Sequence, residues 1–423
     1  LKRFHLGFLQ TGPKSFVNFI NNLLSLCGVI HLYCFKLGEL LDICVLNPFF
    51  YPYKGGTEKV LREVYSRLSK RNNVTIITSA MPDNNRYSVQ HLDGIKIVRL
   101  RTSQRRLPTL PMPFLTFHGI RDAVLKEKSD IYHINNRYQY FNETVNAIRS
   151  MDKKIALTIH NARPRNINFT TDKLGRLYDW WWGKRLMRAA DVITAVSGNT
   201  AKTTVPKDCR SKTHVVFNGV DYKIFRKIGR GDPGVKRVLD RLGFDGTSII
   251  TNGRMIPQKG QIYLIEAVAG LAGKDRLNLL VVGNGPLKRH LISSAKRLGI
   301  SDRLRIVWGL DDNSLRYYYN ACDIFAFPSL YEPAGLAVCE AMSCELPVVA
   351  SRIGGIPEIV GNCGFYARAR DPRSIGKELS RVLENRRMAE RMAREGRKRM
   401  IRYYNWDRIA KQYEDIFLET IKN

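Results

Sequence analysis

From Asp42 onward, short apolar runs rich in β-branched residues alternate with longer stretches in which apolar positions recur every three or four residues. The runs at 74–78, 155–159 and 192–196 have the length and composition of strands buried on both faces. Between them, 58–70 places Val60, Leu61, Val64 and Leu68 on one face of a helix, with Thr57 as its expected N-cap. Residues 223–246, with Gly229, Gly231, Pro233 and Gly234 among basic side chains, read as a linker. The alternation then resumes with strands expected at 248–251, 279–282, 304–307, 324–327 and 347–350. Strands and helices in strict alternation imply a parallel sheet covered by helices. The expected fold class is therefore α/β, with two doubly wound Rossmann-like domains, 42–230 and 231–402, facing a central cleft. Residues 403–423 form a last helix, with Trp406, Ile409, Tyr413 and Phe417 on one face, expected to pack back toward the first domain. Ligands of such sheets bind beyond the carboxyl ends of the strands, so the cleft is the expected site.

Residues 1–41 do not follow this pattern. An uncharged, largely apolar run from 15 to 35 follows Lys2, Arg3 and Lys14, but Asn18, Asn21, Asn22 and His31 interrupt it. It is expected to be an extension outside the fold or preceding the natural start, with a membrane anchor or a packed helix as alternatives. The eight cysteines form no C-x-x-C pair and sit near no histidine at metal-binding spacing, as expected of reduced, mostly buried thiols of a cytoplasmic protein. The 69 Lys+Arg against 38 Asp+Glu leave a net charge of +31, which calls for an anionic partner: nucleic acid, a membrane surface or a phosphorylated substrate.

The chemistry concentrates in a few strand-to-helix turns. Glu332 lies in the loop after the strand expected at 324–327, and Glu340 lies one to two turns into the following helix. Gly335 and Leu336 then stand at the helix start, where unpaired amides and the dipole favour a phosphate. Two carboxylates so placed can accept hydroxyl hydrogen bonds from two parts of one ligand, the shape of a sugar nucleotide. After the strand at 248–251, Arg254 and Lys259 can converge on a diphosphate leaving group. In the first half, Gly55 and Gly56 occupy the equivalent turn, where backbone amides can approach an anion, and His160 ends the strand at 155–159. Asp311 and Asp312 read as helix N-terminal charges, not metal ligands.

In this order and context, the motifs resemble those of the retaining glycosyltransferases of family 4, which have the GT-B fold, over nearly the whole chain from Asp42 to Ile421. The most specific match is the pair Glu332 and Glu340, seven residues between them, set after Pro328 and Ser329. The resemblance implies that Glu340 binds the ribose hydroxyls of the donor, Glu332 its sugar hydroxyls, Arg254 and Lys259 the diphosphate, and the Gly335 and Leu336 amides the distal phosphate. It further implies that His160 contacts the sugar and supports the transition state, that Gly55 and Gly56 form the acceptor-side phosphate loop, and that Gly309 and Leu310 form the base-binding turn. Glu345 stands where the family often has glycine.

The reaction thus expected is transfer of a sugar, with retention, from a nucleoside-diphosphate sugar to a lipid-linked or glycan acceptor. No cofactor and no metal are expected, since the basic residues and helix terminus can stabilise the departing diphosphate. Residues 42–230 carry 34 Lys+Arg against 15 Asp+Glu, so a basic first domain is expected to meet the cytoplasmic face of a membrane peripherally. The stretch 99–115, with Arg101, Arg105 and Arg106 beside Leu107, Leu110, Met112 and Phe114, is one candidate surface, and Trp180–Trp182 another. A sugar-nucleotide epimerase or hydrolase is the alternative enzyme class. A nucleic-acid-binding protein has charge alone in its favour, because no recognition helix or RNA-binding signature is present.

Overall fold

The computed structural model describes residues 40–53, 55–81, 85–105, 114–135, 142–161, 173, 182–271 and 276–423. The expectations for residues 1–39 lie outside these. Asp42–Asn423 form one compact unit containing two parallel sheets.

The first sheet contains β1 (Asp42–Leu46), β2 (Asn73–Ser79), β3 (Ser88–Leu92), β4 (Ile95–Leu100), β7 (Ile131–Ile134), β8 (Lys154–Ile159), β9 (Val192–Ala195) and β10 (Thr213–Val215). A separate pair, β5 (Thr102–Arg105) and β6 (Phe114–Phe117), forms an antiparallel ribbon. The first sheet's order is β10-β9-β8-β7-β1-β2-β4-β3, parallel except for the edge strand β3. The second sheet is wholly parallel: β11 (Thr247–Asn252), β12 (Leu277–Val282), β13 (Leu304–Val307), β14 (Ile324–Phe327), β15 (Val348–Ser351) and β16 (Phe365–Ala367), in the order β13-β12-β11-β14-β15-β16. In each sheet the order reverses beside the first strand, at β1/β7 and β11/β14. Loops leaving the two strands of such a point diverge and open a crevice, which is where open α/β sheets bind ligands.

The strand interiors are dry: β1, β7, β12 and β14 bury every apolar side chain they carry. Each fully buried Ile or Leu contributes about 1.5–3 kcal/mol, so these runs settle register as well as stability.

The last helix, Trp406–Lys422, lies against the helix Gly56–Leu68. Asp407 pairs with Arg67 at 2.7 Å, Glu414 accepts from Asn72 at 2.9 Å, and Tyr413 and Phe417 reach the His133 ring at centroid distances of 5.6 and 5.1 Å. Gly219 is pressed against the Trp406 ring, where a Cβ would lie 2.6 Å from ring carbons. A second tie comes from Glu358, whose carboxylate accepts from the Gly198 and Asn199 amides at 2.7 Å each.

Three expectations need correction. The segment read as a linker contains the helix Pro233–Leu242: Asp232 caps it by accepting from Gly234 N at 2.7 Å, proline sits at its first turn, and Val235, Val238 and Leu242 are buried. Thr57 is not an N-cap, because the helix begins one residue earlier and Gly55 caps it in extended conformation. The stretch 99–115 is not a single interfacial loop. Arg99 is buried in β4 and donates to Gln90 Oε1 at 3.2 Å and to the Tyr51 carbonyl, while Leu115 is buried in the β5–β6 ribbon. Its tip, with Arg106, Leu107, Leu110 and Met112, lies outside the described residues, as do Trp180 and Trp181, whereas Trp182 is exposed.

Candidate active site

The site residues gather at the two reversal points. In the second half, β11 ends at Asn252 and the chain turns through Arg254, which is exposed, to a single 3₁₀ turn, Pro257–Lys259. Gly260 follows with φ +62, and a Cβ there would stand 2.2 Å from the Pro328 carbonyl. Only glycine permits this approach, and it presses the Lys259 loop onto the loop leaving β14. Lys259 Nζ consequently lies 2.5 Å from Glu332 Oε2 and 5.1 Å above the Phe327 ring. Glu332 also accepts from the Gly335 amide through Oε1 at 3.2 Å.

Gly335 adopts φ +54 as the N-cap of the helix Leu336–Ser343, with no side-chain cap. That terminus was expected to offer both the Gly335 and the Leu336 amides to a phosphate. In the structure the Gly335 amide donates to Glu332, and the Leu336 amide stands next to it at the helix mouth. Four residues on, Glu340 is buried at 6% exposure. Its Oε2 accepts from Tyr319 Oη at 3.0 Å, Tyr319 Oη accepts from Asn252 Nδ2 at 2.9 Å, and its Oε1 lies 2.8 Å from Lys59 Nζ.

Lys59 comes from the first half, one turn into the helix Gly56–Leu68, and also pairs with Asp312 at 2.9 Å. Burial works to lower its pKa, but Glu340 and Asp312 together outweigh it and hold the ammonium above its ordinary range. Asp312 thus has a partner beyond the helix dipole, while Asp311 is the N-cap, accepting from Ser314 N at 2.8 Å. Gly309 and Leu310 lie in the turn after β13 that leads into the helix Asp312–Ala321, which Asp311 caps; Gly309 has φ +79 with open space on its Cβ side.

On the first half's side, Gly55 is in extended conformation, and a Cβ there would stand 2.1 Å from Glu58 Oε2, the movable end of that side chain. Gly56 faces across to the second half, where a Cβ would make ordinary contact with Leu336 at 3.7 Å. The glycine loop and the helix mouth therefore meet. Burial raises the Glu58 carboxyl above the usual range, against the pull of Arg254.

His160 stands just past β8, with Nε2 3.1 Å from Asn135 Oδ1 at the end of β7. Beneath it, buried His133 contacts Tyr65 Oη through Nδ1 and Thr158 Oγ1 through Nε2 at 2.6 Å, and Thr158 Oγ1 meets Thr194 Oγ1 at 2.6 Å. Burial pushes His160 down to about 4; burial, with His160 nearby, pushes His133 down to about 3. Both rings are neutral near pH 7.

Sequence reasoning missed Lys59, Asp312 as its partner, Tyr319, and the His133–Asn135 support of His160. A basic residue directly after Gly-Gly-Thr-Glu was the available signal for Lys59, but on a surface helix it reads as solvated.

Residues 54–223 match the family model for Glycosyltransferase Family 4, and residues 243–399 match that for Glycosyl transferases group 1. The chain is 30% identical over 292 residues to an MMP alpha-(1->4)-mannosyltransferase of Mycolicibacterium hassiacum, covering 65% of this chain and 67% of that protein. The chain belongs to the group 1 glycosyltransferases of family 4. This family member is also 26% identical over 390 residues to the GPI3 subunit of a phosphatidylinositol N-acetylglucosaminyltransferase of Saccharomyces cerevisiae, covering 89% of this chain and 82% of that one. Its fold matches the Anabaena protein HepE, solved in complex with UDP and glucose, at a TM-score of 0.69 and 19% identity over 89% of this chain and 98% of that one. The architecture is thus GT-B, two Rossmann-like halves with strand ends facing one crevice. Among the described residues, no helix is long and apolar enough to cross a membrane.

Proposed function

We propose that this glycosyltransferase moves a sugar, with retention of anomeric configuration, from a nucleoside-diphosphate sugar to a lipid-linked or glycan acceptor. The observation that carries the proposal is the carboxylate pair on one helix mouth, each member held by an ammonium: Glu332 by Lys259 and Glu340 by Lys59. Glu340 takes the ribose hydroxyls and Glu332 those of the transferred sugar. Arg254, Lys259 and the Leu336 amide take the diphosphate, with Gly309 and Leu310 beside the base. These preorganised charges oppose the negative charge that grows on the leaving diphosphate, and they take the part a metal plays elsewhere. The diphosphate oxygen receives the acceptor's proton on the same face from which it departs.

His160 serves as a neutral group. With Asn135 Oδ1 as its partner, Nε2 carries the ring proton and Nδ1 presents a lone pair to a hydroxyl of the sugar. Gly55 and Gly56 admit the acceptor close to the leaving group. A lipid-linked or glycan acceptor agrees with the names of the mannosyltransferase and GPI3-subunit relatives, and with the basic excess of residues 42–230, through which we propose peripheral contact with the cytoplasmic face of a membrane.

A screen of nucleotide sugars by mass spectrometry, with wild type and Glu340→Ala, tests this function. Wild type is expected to consume one donor class and Glu340→Ala to lose at least about tenfold in turnover at low donor. Equal turnover by both would refute the assigned donor site.

A further inference from the structure

Glu340 is the one carboxylate of the described donor residues whose two oxygens are held from different halves of the molecule: Oε1 by Lys59 Nζ at 2.8 Å and Oε2 by Tyr319 Oη at 3.0 Å. A carboxylate has about four lone-pair positions, two on each oxygen. One on each is used, so one on each remains, and two adjacent acceptors match the two neighbouring hydroxyls of a ribose. This match holds only while both oxygens keep their place and their free lone pairs.

A carboxylate at this depth calls for a counter-charge. Glu340 and Asp312 both belong to helices of the second half, and their shared cation, Lys59, comes from the first, at 2.8 and 2.9 Å. The Lys59 ammonium also lies 5.2 Å over the Phe225 ring, which fixes it from a further side. Without Lys59, two carboxylates would face each other across the same space, and their repulsion would turn Glu340 away from its place.

We propose that Lys59 is a positioning residue for donor recognition: supplied by the acceptor half, it holds Glu340 turned toward the ribose hydroxyls, so the nucleotide pocket is complete only with both halves together. This rests on the assignment of Glu340 to ribose made above. By reciprocity, a ribose-containing donor that favours the paired state of Glu340 also favours the joined state of the two halves.

Isothermal titration of the full chain with UDP, GDP and ADP identifies which diphosphate wild type binds, and its 2′-deoxy counterpart is then titrated against wild type, Lys59→Met and Lys59→Arg. Wild type is expected to prefer the ribose form by about tenfold or more. Lys59→Met should bring the two forms within about twofold of each other, and Lys59→Arg, which keeps the charge, should restore most of the preference. The affinity for inorganic pyrophosphate, which does not reach Glu340, should be the same in Lys59→Met as in wild type, although the loss of a half-buried ion pair lowers the melting temperature. No preference in wild type defeats the assignment of Glu340 to ribose. Full preference retained in Lys59→Met overturns the role of Lys59 while leaving that assignment standing. A loss of pyrophosphate affinity as large as the loss for the nucleoside diphosphate overturns it in favour of a purely structural role. Lys59→Gln replaces Lys59→Met in the same titration if the methionine variant does not fold.

Discussion

The two halves share a sheet plan and place their functional loops at the same kind of reversal point, yet they prepare those loops with opposite electrostatics. The second half's loops gather charge: Lys259 on Glu332, Arg254 exposed beside them, and Glu340 and Asp312 drawing Lys59 across from the first half. The first half's loops after β7 and β8 are neutral instead, with His160 set over a buried network of His133, Tyr65, Thr158 and Asn135 in which neither histidine is protonated near pH 7. A departing diphosphate calls for fixed countercharge, whereas a sugar held beside it calls for hydrogen bonds that add no further cation. The same fold serves both needs because only the loops differ.

The largest effect is expected on the charged side. Lys259→Ala should lower kcat by about 10²–10³, measured with saturating donor, because it removes a preorganised charge facing the leaving group and leaves Glu332 without its cation. Arg254→Ala should fall in the same range. A loss of less than about fivefold in both would break the contrast, since the diphosphate would then be stabilised elsewhere.

The neutral side is sharpened by pH. Folded His133 and His160 lie near 3 and 4, below an ordinary unfolded value of about 6.5. As pH falls through 6.5 the unfolded chain takes up protons that the folded chain refuses, so stability declines from there toward the folded values. For buried His133 the loss between pH 6.5 and 4.5 amounts to about 2–3 kcal/mol. Urea unfolding across this range should show it, and His133→Gln, which cannot titrate, should show a shallower decline. Equal slopes would mean that the network is not held neutral.

A smaller effect lies outside both sites. Glu345 follows the helix Leu336–Ser343 in the left-handed region, φ +58, with its carboxylate 3.7 Å from Arg397 Nε. The family's frequent glycine at this position is the residue that such a helix end favours. Glu345→Gly should therefore stabilise the protein by about 1 kcal/mol in chemical unfolding, the ion-pair contact being weak at that distance. Turnover should not change. A destabilised variant would show that the Arg397 contact outweighs backbone strain.

Much of this contrast was legible along the chain, and the part that was not has a physical reason. The strand at 324–327 was read to the residue because dry parallel strands carry unbroken apolar runs, and the half-buried strand at 304–307 because Leu304, Ile306 and Val307 still mark it. Glu332, Glu340, Arg254 and Lys259 were legible because each sits in or just beyond a strand-to-helix turn, which the alternation locates. The helix Pro233–Leu242 was hidden because Gly-Asp-Pro-Gly signals a turn and a helix start in the same letters. Lys59 was hidden because its partner Glu340 lies 281 residues away, and no local pattern reports a contact across the crevice. The His133 network was equally invisible, since it is assembled from neighbouring strands and the helix Gly56–Leu68.

The division of labour between the halves is tested most directly by one titration series: the nucleoside diphosphate that wild type binds, measured against wild type, the Arg254→Ala/Lys259→Ala double variant and His160→Ala. The predicted result is a loss of affinity of at least about 100-fold in the double variant and a change within about twofold in His160→Ala. A large loss in His160→Ala, with the double variant near wild type, would contradict a donor site built from charge in the second half.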